Sequence, residues 1–75
     1  PELTRILKEG NEQQRVFAAL ALGHVGRAAS PALDYLMELS EDESQPLRLR
    51  LAAGMAVRQI IDEIPFQAIG IGGAK

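Results

Sequence analysis

A repeat runs through this chain and limits the folds open to it. Pro1-Glu2-Leu3-Thr4-Arg5-Ile6-Leu7 and Pro31-Ala32-Leu33-Asp34-Tyr35-Leu36-Met37 share the pattern P-x-L-x-x-[IL]-[LM], 30 residues apart. Gln14-Arg15-Val16 returns as Leu47-Arg48-Leu49, and Ala19 and Leu22 return as Ala52 and Met55, at a spacing of 33. The longer second spacing falls in the connector that holds Glu41-Asp42-Glu43, where extra loop residues cost little entropy. A period near 30 residues marks stacked supersecondary units, each unable to bury its apolar side alone.

The hydrophobic period within each unit is helical. Leu3, Ile6 and Leu7 form one stripe over residues 2–9, and Gly10-Asn11 interrupts it, with Gly10 suited to a left-handed cap. Residues 12–25 carry Val16, Phe17, Ala18, Ala19, Leu20, Ala21, Leu22 and Val25. That covers more than one stripe and predicts a helix buried on several sides. Ser30-Pro31 predicts an N-cap and first turn for a third helix over 31–40. Leu33, Leu36, Met37 and Ser40 lie on its inner face. Pro46 opens a fourth helix over 46–62, with Leu49, Ala52, Ala53, Ala56, Val57 and Ile60 inward. Pro65 follows its end. Segment 65–75, with Gly70, Gly72 and Gly73, is expected to be a flexible tail after a helical segment spanning 1–64.

Composition narrows the function. A chain of 75 residues is one small domain or part of one, and 47% hydrophobic residues is too many for a disordered polymer. The absence of cysteine removes disulfides and thiolate metal sites and is compatible with the cytoplasm, the expected location. A net charge of −2 opposes a phosphate-binding surface. The longest apolar run, 16–22, is far shorter than the roughly 20 residues of a membrane span.

The run Gln14-Arg15-Val16-Phe17-Ala18-Ala19-Leu20-Ala21-Leu22-Gly23-His24-Val25-Gly26, followed by Pro31, Leu33, Leu36 and Met37, resembles the short HEAT repeat of phycobilisome lyases. That pattern reads V-R-x-x-A-A-x-A-L-G-x-[IL]-G and then P-x-L-x-x-L-L. The second unit departs from it at Ala56 and Arg58. The resemblance covers about residues 1–60. It implies an all-α solenoid of antiparallel helix pairs, with about two units present as part of a longer array. The function it implies is a protein–protein interaction scaffold or adaptor, without catalysis or cofactor, that meets protein partners, neighbouring repeats or further copies through its open ends. The resemblance further implies a ladder pairing Glu9 with Arg15 and Asp42 with Arg48. It also implies a concave partner surface including Arg5, Lys8, Asp34, Tyr35 and Glu38, with Tyr35 exposed. The alternatives it leaves are a segment of a bilin lyase or other chromophore-handling subunit and, third, a DNA-binding helical repeat.

The remaining residues with chemistry read as structural. His24 is the only histidine and has no second ligand to complete a metal site. The acidic run 41–43 lacks the ligand spacing of a calcium loop. Gly70-Ile71-Gly72-Gly73 follows no strand, so it meets neither phosphate-loop pattern. Met37 and Met55 are expected to fill the core, and Ser30 to cap a helix. Arg15, Arg27, Arg48, Arg50 and Arg58 are the candidates for a basic patch, with Arg58 set to pair with Asp62 one turn on.

Overall fold

Four α-helices and one 3-10 segment follow one another along the chain, and no strand occurs among the described residues. The structure is a computed structural model, and it describes residues 2–64. The tail expected over 65–75 lies outside the described residues. Helix α1 spans Glu2–Glu9 and α2 spans Glu12–Val25. The 3-10 segment Gly26–Ala32 leads into α3, Leu33–Glu41, and α4 spans Leu47–Glu63.

The break between α1 and α2 comes from two neighbouring residues. The Gly10 N–H donates to Ile6 O at 2.8 Å. The expected left-handed cap is absent, since among the described residues only Gly26 has a positive φ. Glycine is needed at position 10 for space instead, because a Cβ there would stand 2.8 Å from Ile6 O and 2.9 Å from Gln14 Cβ. Asn11 then caps α2. Its side chain accepts from the Gln14 N–H at 2.8 Å, and the Gln14 side chain accepts from the Asn11 N–H at 3.0 Å. This reciprocal box satisfies two N–H groups that a helix start would otherwise leave unpaired.

The turn after α2 corrects a second expectation. Gly26 stops the helix at φ 75°, and its N–H returns to Leu22 O. Ser30 and Pro31 then lie inside a tight 3-10 stretch, α3 begins at Leu33, and no side chain caps it. Ser30 is therefore no N-cap. Its carbonyl instead accepts the Leu33 N–H. Pro46 stands just outside α4, and its carbonyl accepts from the Leu49 and Arg50 N–H groups.

Successive helices are in contact, α1 with α2 and α3 with α4, and α2 packs on α4. The α2–α4 contact is parallel. Near the N-termini Arg48 Nε donates to Glu12 Oε2 at 2.7 Å. Further along, Gly23 meets Ala56 and Gln59, and at the C-terminal end Gly26 meets Glu63. Small residues allow this approach: a Cβ on Gly23 would stand 2.9 Å from Ala56 Cα. Leu7, Leu36, Leu49 and Ile60 are the large side chains fully sealed in the core, joined by Ala18, Ala19, Ala53 and Ala56. Full burial of one such leucine is worth roughly 1.5–3 kcal/mol.

The inner faces differ from the expected ones in three places. On α3 the buried residues are Leu36 and Leu39, while Met37 is 43% exposed. Met55 is exposed too, so neither methionine fills the core. On α2, Ala18, Ala19, Leu22 and Gly23 are buried, but Phe17 is 70% exposed. Helix α2 thus keeps an exposed apolar face with Phe17 and Leu20, where burial on several sides was expected. An 18-residue window within 12–41 is apolar enough for a membrane span, but Gly26 breaks that stretch. Helix α2, with 14 residues, rises about 21 Å, short of the roughly 30 Å hydrocarbon layer.

Candidate interaction surface

The junction of the four helices is organised by Arg15, in the first turn of α2. Its Nε donates to Leu7 O at 2.7 Å. That carbonyl belongs to the last turn of α1, where unpaired carbonyls concentrate partial negative charge. Its Nη1 reaches Gln45 Oε1 at 3.3 Å, and its Nη2 reaches the Tyr35 hydroxyl at 3.4 Å. One guanidinium therefore touches α1, α3 and the α3–α4 connector. Gln45 is held in turn, because its carbonyl accepts from Arg50 Nε at 3.1 Å and its amide faces Asp42.

The expected ladder is replaced by other pairs. Glu9 lies 3.7 Å from Arg5 instead of on Arg15. Arg48 bonds Glu12 across the α2–α4 seam instead of Asp42. Asp42 accepts from the Ser44 N–H at 3.0 Å and its hydroxyl at 2.6 Å, closing the connector turn. The physical cause is register. Arg50, not Arg48, repeats the bond that Arg15 makes to a backbone carbonyl preceding its helix. Those two arginines are 35 residues apart, whereas the side-chain pattern repeats at 33. The Ser44 hydrogen bonds, hydroxyl first, hold the Asp42 carboxyl below the usual carboxylate range.

Of the five residues expected on a partner surface, Lys8 and Tyr35 are brought together. Lys8 Nζ sits 5.3 Å from the Tyr35 ring centroid, a cation–π distance. Tyr35 is half-buried and packs on the core, which corrects its expected exposure. Arg5, one turn before Lys8, is exposed between Glu2 and Glu9, and the Glu2 carboxylate raises its pKa further. Asp34 and Glu38 are exposed on α3 and make no hydrogen bond or ion pair among the described residues. No distance ties them to the Lys8–Tyr35 pair.

Beside that pair the structure adds a groove that the helical period does not reveal. It has a volume of about 730 Å³ and lies between α1 and the turn after α2. Leu3, Leu22, Val25, Ala29 and Pro31 line it together with the charged Arg5, Lys8 and Glu9. The 3-10 geometry makes it, by bringing Ala29 and Pro31 opposite α1. The only sequence sign is the small, proline-bearing run Ala28-Ala29-Ser30-Pro31.

Of the five arginines considered for a basic patch, Arg27 is exposed, and the other four have partners among the described residues. Arg15 and Arg50 donate to backbone carbonyls, Arg48 to Glu12, and Arg58 lies 3.7 Å from Asp62. His24 is exposed, and no cluster of three His, Asp or Glu side chains forms a metal site among the described residues. The chain shows no significant match to any protein-family model, curated protein or solved structure.

Proposed function

We propose that this chain is a HEAT-like helical-repeat segment and acts as a non-catalytic scaffold that binds a protein partner. The support is geometric. Helix α1 packs on α2 and α3 on α4, and α2 and α4 run parallel side by side. The observation that carries the binding role is the groove with apolar walls that is also lined by Arg5, Glu9 and Lys8, the last of them against Tyr35. It offers a partner burial for an apolar side chain and a cation for a nearby carboxylate. Such an interface draws most of its affinity from a few anchors, here Val25, Lys8 and Tyr35.

Two exposed positions test this. Val25→Glu puts a charge on the groove wall, and Lys8→Glu reverses a charge that lines it. Both variants should keep wild-type helicity by circular dichroism. Each should weaken capture of the protein retained by the wild-type chain by about tenfold or more, which is about 1.4 kcal/mol. Equal retention by wild type and both variants refutes the site. A shift in the absorbance of a linear tetrapyrrole on addition of the chain would favour chromophore handling instead.

A further inference from the structure

Three of the four glycines on the described helices and turns are explained by what faces them. Gly10, Gly23 and Gly26 each have an atom within 2.9 Å of where a Cβ would stand. Gly54, inside α4, is different. A Cβ there would meet nothing closer than Ser40 Cβ at 3.9 Å, and its φ is not positive. Glycine inside a helix is destabilising relative to alanine, yet neither packing nor backbone conformation calls for it here. Its missing side chain leaves an opening, part of a groove of about 530 Å³.

The residues lining that groove give it a sign. Arg50 and Arg58 stand one turn before and one turn after Gly54, so the three share a stripe of α4. No carboxylate lines the groove. Leu51 and Met55, both more than half exposed, add apolar surface beside that stripe. The nearby acids hold the two arginines loosely. Arg58 Nε lies 3.7 Å from Asp62 Oδ2, with the side chains 82% and 67% exposed, so water competes for the pair. Asp42 attracts Arg50 but is bonded to the Ser44 N–H and hydroxyl. Arg50 donates its Nε to the Gln45 carbonyl, and its terminal nitrogens make no hydrogen bond among the described residues.

From these features we propose that this face of α4 is a second docking site and takes an acidic peptide segment of a partner protein. A carboxylate of the segment lies over Gly54, between two guanidiniums whose N–H groups fork onto its oxygens. An adjoining aliphatic side chain of the segment rests on Leu51 and Met55. Glycine at position 54 lets the ligand approach the helix backbone, where any larger residue would intrude. A polyphosphate is a poorer match, because the net charge of −2 repels it and it would leave the leucine and methionine wet. The site goes beyond the Lys8 groove, with which it shares no lining residue.

Selection from a random peptide library on the full wild-type chain tests this. One family of enriched peptides should carry Asp or Glu beside Leu, Ile or Met. Titrated as synthetic peptides by calorimetry, its members should bind Arg58→Glu about tenfold or more weakly than wild type, and bind Lys8→Glu as well as wild type. Gly54→Ala should also weaken them while raising the denaturation midpoint, which separates a blocked site from a damaged fold. Enrichment of no acidic family, or a family that binds wild type and Arg58→Glu equally, would overturn the proposal. Acidic peptides that respond only to Lys8→Glu would overturn it too, and would leave the Lys8 groove standing. Retention of an oligonucleotide through Arg58, with no acidic peptide enriched, would assign the guanidiniums to phosphate and equally overturn it.

Discussion

Gly23 and Gly54 both lie within helices, on α2 and α4, and predict opposite responses to the same substitution. Alanine at position 23 places a methyl group 2.9 Å from Ala56 Cα, against backbone that a side-chain rotation cannot clear. Overpacking of this kind costs about 1–3 kcal/mol and outweighs the roughly 1 kcal/mol that alanine gains in helix propensity. Gly23→Ala should therefore lower the urea midpoint. Gly54→Ala, facing open space, should raise it by the equivalent of about 0.5–1 kcal/mol. Nothing in the one-letter pattern separates these glycines. Gly23 reads as the end of a helix, and only the approach of α4 shows that it is a packing residue. Asp42 gives a prediction of a different kind. Its carboxyl is held below the usual range by Ser44, so its contribution to stability is complete above the unfolded-state pKa of about 3.9 and is lost as pH falls through the lower folded value. Side-chain carbon shifts of Asp42 followed by NMR should titrate below the ordinary aspartate value of about 3.9.

Asn11 and Ser30 separate at the scale of the element. Asn11 makes a bonded capping box, so Asn11→Ala should cost about 1 kcal/mol in chemical denaturation. Ser30 sits within the 3-10 stretch and caps nothing. Ser30→Ala should change stability by less than about 0.5 kcal/mol. Much of the helical layout was legible, because Leu3-Ile6-Leu7 and Leu49-Ala53-Ala56-Ile60 repeat at the helical period and their inner faces are set by burial. The turn after α2 was not. Gly26 takes a positive φ, and Ser30-Pro31 satisfies cap rules locally while tertiary packing keeps those residues in a tighter coil. The groove beside Lys8 leaves no trace in the helical period for the same reason, since it is a product of that turn. The arginine contacts were misassigned because position 48 matches the side-chain pattern and position 50 matches the backbone geometry.

For the whole molecule, the packing order predicts an order of opening. Helix α4 packs on α2, α3 and the 3-10 segment, whereas α1 packs mainly on α2. Amide hydrogens of α1 should exchange faster than those of α4, because few contacts must break to release it. The ion pair across the α2–α4 seam adds little, since Glu12 and Arg48 both remain partly in solvent, and Arg48→Ala should cost no more than about 1 kcal/mol. Arg15 stands apart from this ordering. A guanidinium sends its N–H groups outward from a rigid plane, and here separate nitrogens serve the end of one helix, the hydroxyl of another and the amide of a loop. Lysine would bring the same charge on a single nitrogen at the tip of a pliable stem. It would have to abandon some of those clients to reach the others. A library randomised at position 15 and sorted for folding should therefore keep arginine and discard lysine, even though the two count as equals in any tally of charge.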